Sequence, residues 1–186
     1  MLGFAFCGSF CTMAAALSSL EVLLSRGYEI QPIMSENAYS VDTRFHKAAD
    51  FVSRVEALTG REIIHTVAAA EPLGPKTPLD GLILAPCTGN TLAKLAGGIT
   101  DTAVTMATKA HLRQDRPTLI ALATNDALSA NLTNLGRLIT RRSVYLVPLR
   151  QDDPRGKPHS LVAEMGRIAD CWEAASRGEQ IRPIFI

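Results

Sequence analysis

The run Gly81-Leu82-Ile83-Leu84-Ala85 is apolar without interruption, and it constrains the fold more than any other feature of the chain. A strand with one wet face alternates apolar and polar residues, whereas a strand with no polar position must be covered on both faces. Asp80 precedes the run, and the polar loop Pro86-Cys87-Thr88-Gly89-Asn90 follows it. Leu2 to Cys7, Tyr28 to Met34, Thr118 to Ala123 and Val144 to Pro148 read as further strands. Helical patterning fills the intervals: Thr12 to Arg26, about Arg44 to Leu58, a stretch from about Thr91, Asp101 to Leu112, about Asn131 to Ile139, and Leu161 to Ser176. Strands that alternate with helices predict parallel β-α-β crossovers. The expected fold is therefore α/β, a three-layer doubly wound parallel sheet of Rossmann-like or flavodoxin-like type. The 186 residues suit one domain spanning 1–186, since no repeat, low-complexity tract or linker divides them. Glu71 to Leu79, with Pro72, Pro75 and Pro78, reads as an ordered, non-helical arm, and Arg150 to His159 as a polar loop.

Composition removes several classes of function. With 19 basic and 18 acidic residues the chain is nearly neutral, so neither nucleic acid nor an anionic membrane is an expected partner. The four cysteines (Cys7, Cys11, Cys87, Cys171) form no C-x-x-C pair and there are only four histidines, so no metal site is expected. The opening Met-Leu-Gly-Phe-Ala-Phe lacks a signal peptide's basic flank and length. No segment reaches the roughly 18 apolar residues of a membrane span. These features predict a cytoplasmic protein with reduced thiols.

In a doubly wound sheet, ligands bind beyond the carboxyl ends of the strands. After the first strand comes Gly8-Ser9-Phe10-Cys11-Thr12, where a glycine and hydroxyls at a helix start suit a phosphate and equally an ordinary N-cap. It is not the G-x-G-x-x-G fingerprint of dinucleotide sites. After the second strand, Ser35 and Asn37 can donate to the same phosphate or serve as turn residues. After the third comes Ala85-Pro86-Cys87-Thr88-Gly89-Asn90-Thr91-Leu92-Ala93-Lys94-Leu95-Ala96-Gly97-Gly98-Ile99-Thr100-Asp101. There a buried strand enters a donor-rich loop and a small-residue helix able to pack on a flat ring, and a capped β-α turn reads equally well.

This last stretch resembles the A-P-x-[ST]-x-N-T-[LI]-A-K-[LI]-A-x-G-[IL]-x-D signature of the flavoprotein family, which includes flavin-linked cysteine decarboxylases and flavin prenyltransferases. The resemblance implies bound FMN. It places Gly8, Ser9, Phe10 and Thr12 with Ser35 and Asn37 around the cofactor, Ser9 and Ser35 at its phosphate. Pro86, Cys87, Thr88, Gly89, Asn90 and Thr91 would lie along the ring and ribityl chain, with Ala123 and Thr124 beside them. It also implies a homo-oligomer, trimeric or larger, with flavin at a subunit contact.

The flanking loops separate the branches of that family. Decarboxylases carry a histidine before the third strand, where this chain has Glu71-Pro72-Leu73-Gly74-Pro75-Lys76. They carry P-x-M-N-x-x-M-W after the fourth, where it has Ala123-Thr124-Asn125-Asp126-Ala127-Leu128. Prenyltransferases have an Arg-Glu pair at the place of Asn125-Asp126. The chain resembles instead the branch that works in dipicolinate formation during sporulation. The likeness rests on Thr43-Arg44-Phe45, Ala70 to Lys76, Ala85 to Asn90, Thr124 to Leu128, Asn131 to Leu135, and Gln151-Asp152-Asp153-Pro154 with Lys157-Pro158.

That resemblance implies an oxidoreductase subunit in the mother-cell cytoplasm. A nicotinamide-dependent A subunit would bring NAD(P), and a small dihydropyridine dicarboxylate would be the substrate. A decarboxylase or prenyltransferase, and a non-catalytic positioning subunit, are the alternatives. Two carboxylates call for cations and donors. Lys76, Asn125 and Asp126 are the candidate catalytic residues, with Asp126 or Glu71 as proton acceptor. Arg44 and Glu71 are the candidates for substrate binding. Taken singly, Arg44 and Lys76 also read as solvated surface charges, His46 and His65 as structural, and Cys87 as a small buried thiol.

Overall fold

The computed structural model describes residues 1–74 and 76–186. Pro75, part of the proline-bearing arm, lies outside the described residues. Strands β1 (Leu2–Phe6), β2 (Ile30–Met34), β3 (Gly81–Cys87), β4 (Thr118–Thr124) and β5 (Val144–Leu146) pair in parallel. They lie in the order β2-β1-β3-β4, with β5 beside the first half of β4. The expected doubly wound α/β fold is present, and the uninterrupted apolar run at β3 is buried at every position.

Helices cover the sheet. Helix α1 (Met13–Ser25), entered through the 3-10 turn Phe10–Thr12, packs beside α3 (Ala48–Thr59) and α8 (Ile168–Ser176). Helix α5 (Gly89–Gly97) packs beside α6 (Ala103–Leu112) and α7 (Leu132–Ile139). Phe4 and Phe6, two residues apart on one face of β1, have ring centroids 4.9 Å apart. Phe6 then meets Phe51 of α3 edge-on at 5.3 Å.

Four features depart from the sequence expectation by more than a shift of one or two residues. Leu161 to Ser176 is not one helix: Leu161–Ala163 forms β7, a 3-10 turn Met165–Arg167 follows, and α8 starts at Ile168. The reason lies in β4, whose last residues extend past the end of β5 and need partners. Ala123 and Thr124 find them in antiparallel Val162 and Leu161, and β6 (Leu149–Arg150) pairs with β7 in turn.

The helix expected from Arg44 begins at Ala48, because side chains hold the preceding segment in turns. Asp42 accepts from the Ala48 N–H at 2.9 Å, and Thr43 from Phe45 and His46. An unexpected short helix, α2 (Glu36–Ser40), begins where Ser35 accepts from the Ala38 N–H at 3.3 Å. The arm is not wholly non-helical either. Helix α4 (Val67–Ala70) runs into a 3-10 turn, Glu71–Leu73, where Pro72 sits in the first turn and needs no N–H partner.

Gly81 permits α8 to dock. A Cβ there would lie 1.8 Å from Trp172 Cη2, so the indole occupies the space any side chain would need. Gly136 in α7 is the opposite case, since its Cβ would meet nothing within 4 Å. Gly81→Ala is expected to cost about 2–3 kcal/mol of stability through overpacking. Gly136→Ala is expected to add about 0.5–1 kcal/mol by reducing unfolded-state entropy. Urea titrations at one protein concentration read both signs.

Candidate functional site

The sheet order places a switch point at β1, whose neighbours are β2 on one side and β3 on the other. The loops after these strands diverge and leave a crevice, as the topology requires. Its wide part, ≈ 610 Å³, lies between the loops after β1, β3 and β4, with the β6–β7 hairpin as an outer wall. Its narrow part, ≈ 340 Å³, lies between the loops after β1, β2 and β3. Gly8, Thr88 and Asn90 line both, so the two parts adjoin along these residues.

Local hydrogen bonds fix the groove's walls. After β1, Ser9 is held by Thr12, whose hydroxyl donates to the Ser9 carbonyl at 2.9 Å and lies 3.1 Å from its Oγ. A Cβ on Gly8 would sit 3.3 Å from Asn37 Cβ and 3.4 Å from the Phe10 ring, so glycine keeps this corner open. At the start of α5, Thr88 accepts from the Thr91 N–H at 3.2 Å. The Gly89 and Asn90 N–H groups precede any intrahelical acceptor and stand at the positive end of the helix, beside the groove. Thr91 turns inward, its hydroxyl 3.4 Å from Cys7 Sγ.

At the end of β4, the Thr124 hydroxyl donates to Asp126 Oδ1 at 2.6 Å and the Asn131 amide to Oδ2 at 2.8 Å. Gly89 closes against this network, since a Cβ there would lie 2.6 Å from both Thr124 Oγ1 and Asn131 Nδ2. Asp126 therefore holds the β4–α7 loop against α5, while Asn125 beside it is exposed on the wall. Lys94 reaches across to Asp101 with both oxygens at 2.8 Å, and this hydrogen bond keeps the Asp101 carboxyl below the usual range. The Lys and Asp of the flavoprotein-like stretch thus clamp the end of α5 to the approach of α6.

The structure brings most of the sequence candidates together. Gly8, Ser9, Phe10, Thr12, Thr88, Gly89, Asn90, Ala123, Thr124, Asn125 and Asp126 line the wide part. Ser35, Asn37 and Thr91 line the narrow one. Pro86 and Cys87 do not reach the walls; both are buried under the groove in β3, where its register with β4 shifts.

Three charged candidates, Lys76, Glu71 and Arg44, do not line the groove. Gln114 donates to the Gly74 carbonyl and Arg116 to the Leu79 carbonyl, while Asp80 pairs with the N-terminus. These contacts carry the arm, and Lys76 with it, past the amino ends of β1 and β4, opposite the groove. Glu71 is exposed in the 3-10 turn packed on α6. Arg44 is exposed with its guanidinium 4.8 Å above the Phe45 ring.

Sequence reasoning missed the outer wall: Asp152, Lys157, Ser160 and Val162. The signal was the polar loop between Leu149 and Leu161, but only the antiparallel return of β7 brings it over β4. Among the described residues, no group of three or more His, Cys, Asp or Glu could hold a metal ion. No helix among them is long and apolar enough to cross a membrane.

A β-α crevice with helix-start donors, hydroxyls at one end and a broad amide-lined floor is the site geometry of a flavoprotein. Residues 2–170 match the Flavoprotein family, and the chain belongs to it. It is 43% identical over 185 residues to the B subunit of dipicolinate synthase from Bacillus subtilis (strain 168), covering 100% of this chain and 92% of that protein. The crystal structure of the dipicolinate synthase B subunit from Bacillus halodurans C matches with a TM-score of 0.91 and 38% identity, covering 100% of this chain and 95% of that one. The FMN-dependent cysteine decarboxylase SpaF shares the fold at a TM-score of 0.69 and 23% identity, with 95% of each chain covered.

The thiols beneath the groove are held protonated. Burial pushes Cys7 up to about 11 from an ordinary 9.0, and burial with the neighbouring Cys7 raises Cys87 as well. Burial also moves Cys171 to about 11, whereas Cys11 is exposed. A disulfide-exchange reagent at about pH 8 is expected to titrate Cys11 rapidly and the other three only after denaturation. Unfolded thiols ionise first, so this contribution to stability is intact below about pH 9 and is lost as pH rises through about 11. Urea midpoints across that window, set against a Cys7→Ala variant, measure it.

Proposed function

We propose that this chain is the flavin-holding subunit of a dipicolinate synthase. It binds FMN in the crevice and acts with the nicotinamide-dependent A subunit to form pyridine-2,6-dicarboxylate from a dihydrodipicolinate-type precursor. The observation that carries the reading is the pair of adjoining cavities, one hydroxyl-lined at Ser35 and the other broad beside Asn90, in a chain alike over its whole length to named B subunits. The residues present fit the cofactor. Ser9, Ser35 and Asn37 would meet the phosphate, and the Thr88 to Thr91 segment the ribityl chain and ring edge. Phe10 supplies an apolar contact.

When bound, FMN supplies a ring able to accept a hydride equivalent. Aromatisation of the dihydropyridine gives up one hydride equivalent, whose final acceptor would be the oxidised NAD(P)+ of the A subunit, and one proton, which would leave to solvent. Asn125 would orient the substrate from the end of β4. The reading includes a cytoplasmic homo-oligomer in the mother cell.

A second reading, a binding subunit that positions the dehydrogenase without taking part in the chemistry, draws on a specific observation. Both oxygens of Asp126 are engaged by Thr124 and Asn131, and the buried thiols are protonated, so the groove presents few groups ready to move a proton.

Asn90→Ala removes a side chain that lines both parts of the groove. It is expected to weaken FMN about tenfold, roughly 1.4 kcal/mol, read by flavin fluorescence titration. In the reconstituted pair, omission of this chain is expected to abolish dipicolinate formation, and substrate to bleach the flavin absorbance. Formation at full rate by the nicotinamide-dependent partner without this chain would sink the proposal. Unbleached flavin with turnover lost only when the pair fails to assemble would favour the positioning role.

A further inference from the structure

The proposed substrate and product carry two carboxylates, yet neither Arg44 nor Lys76 lines the groove. The narrow part has Lys94, which Asp101 holds through both carboxylate oxygens at 2.8 Å. Among the described residues, Lys157 is the only lysine or arginine on the wall of the wide part. Lys157 sits on the β6–β7 hairpin, which the pairing of Val162 with Ala123 and of Leu161 with Thr124 lays against the end of β4. The hairpin loop is tied down a second time near the start of β7, where the Leu128 N–H donates to the His159 carbonyl at 2.9 Å.

The lysine is also oriented within its loop. Its ammonium donates to Asp152 Oδ2 at 3.0 Å, and the nearly buried Ser160 donates to Oδ1 of the same carboxylate at 2.8 Å. Its own N–H donates to the Asp153 carbonyl at 2.7 Å, and the Gly156 N–H caps the Asp153 side chain at 2.9 Å. Asp152 thus holds the cation at the groove, but the lysine side chain remains 55% exposed and can present its other protons outward.

An exposed ion pair of this kind contributes little, so an incoming carboxylate can share or replace Asp152 at small cost. Among the described residues, the wide part carries two carboxylates, Asp126 and Asp152, against one cation, so Lys157 is the one charge there that can draw an anion. Thr124 and Asn131 engage the first, and Lys157 and Ser160 the second.

Resting on the proposed function, we infer that Lys157, positioned by Asp152, is the specificity residue that receives one carboxylate of a pyridine dicarboxylate. With one carboxylate placed by neutral donors such as Asn125, the lysine meets only the second, and so it selects two-carboxylate ligands over one-carboxylate analogues. The loop supplies the point charge, and the flavin cradle keeps a separate set of contacts.

The test uses FMN-loaded protein and two probes, pyridine-2,6-dicarboxylate and pyridine-2-carboxylate, titrated by calorimetry into wild type, Lys157→Met and Lys157→Arg. The expected result is at least tenfold weaker dicarboxylate binding in Lys157→Met and recovery to within about threefold in Lys157→Arg. The monocarboxylate and FMN affinities should change less than twofold. Unchanged dicarboxylate affinity in Lys157→Met would overturn the inference and leave the flavin reading standing. An equal loss for both probes, or a parallel loss of FMN, would also overturn it, by assigning Lys157 to general electrostatics or to the cofactor cradle. A wild-type protein that binds FMN but neither probe would overturn the inference together with the proposed substrate.

Discussion

The parallel strands of this protein are buried on both faces, and the rest of the molecule follows from that constraint. From Leu2 to Phe6 and from Gly81 to Cys87 every position is buried. Such strands have no wet face on which to place a hydrogen-bonding side chain. Polar chemistry is therefore displaced to the strand ends, where the chain emerges from the sheet. The parallel order then decides which end matters: with β2 and β3 on opposite sides of β1, the loops beyond the carboxyl ends part and leave the crevice.

Much of this could be read from the residues, and particular elements show why. The β3 run and the alternation of strands with helices identify the doubly wound sheet because both are local patterns. Thr88, Asn90 and Ser9 were legible as groove residues because loop position follows from that topology. The cation was not. Lys76 and Arg44 were singled out by charge and neighbouring sequence, yet the tertiary path of the arm carries Lys76 to the amino ends of the strands. Lys157 stands on a loop whose placement depends on three-residue β7 pairing antiparallel with β4, a contact no periodicity announces. Leu161 to Ala163 continue an apolar pattern into α8, so the strand was hidden inside a helical reading.

The stretch from Ala85 to Asp101 also changes meaning once its contacts are known. Of its polar residues, Thr88 caps α5, Thr91 faces Cys7, and Lys94 clamps Asp101. Asn90 alone among them has an exposed side chain on both parts of the groove. Most of the motif therefore builds a cradle whose donors are backbone groups at the helix start, and a small share of its side chains is free for the ligand. On the proposed reading, this division lets one stretch serve several chemistries, with the cradle holding the cofactor and the loops after β4 and β6 setting specificity.

Occupation of the switch-point crevice by flavin is tested most directly by a crystal structure of the protein grown with FMN. The phosphate is expected within hydrogen-bonding distance of Ser9 and Ser35, with the ring over the Gly89–Asn90 turn and facing the β6–β7 hairpin. Flavin density elsewhere on the chain, or a phosphate held away from Ser9 and Ser35, would contradict this assignment.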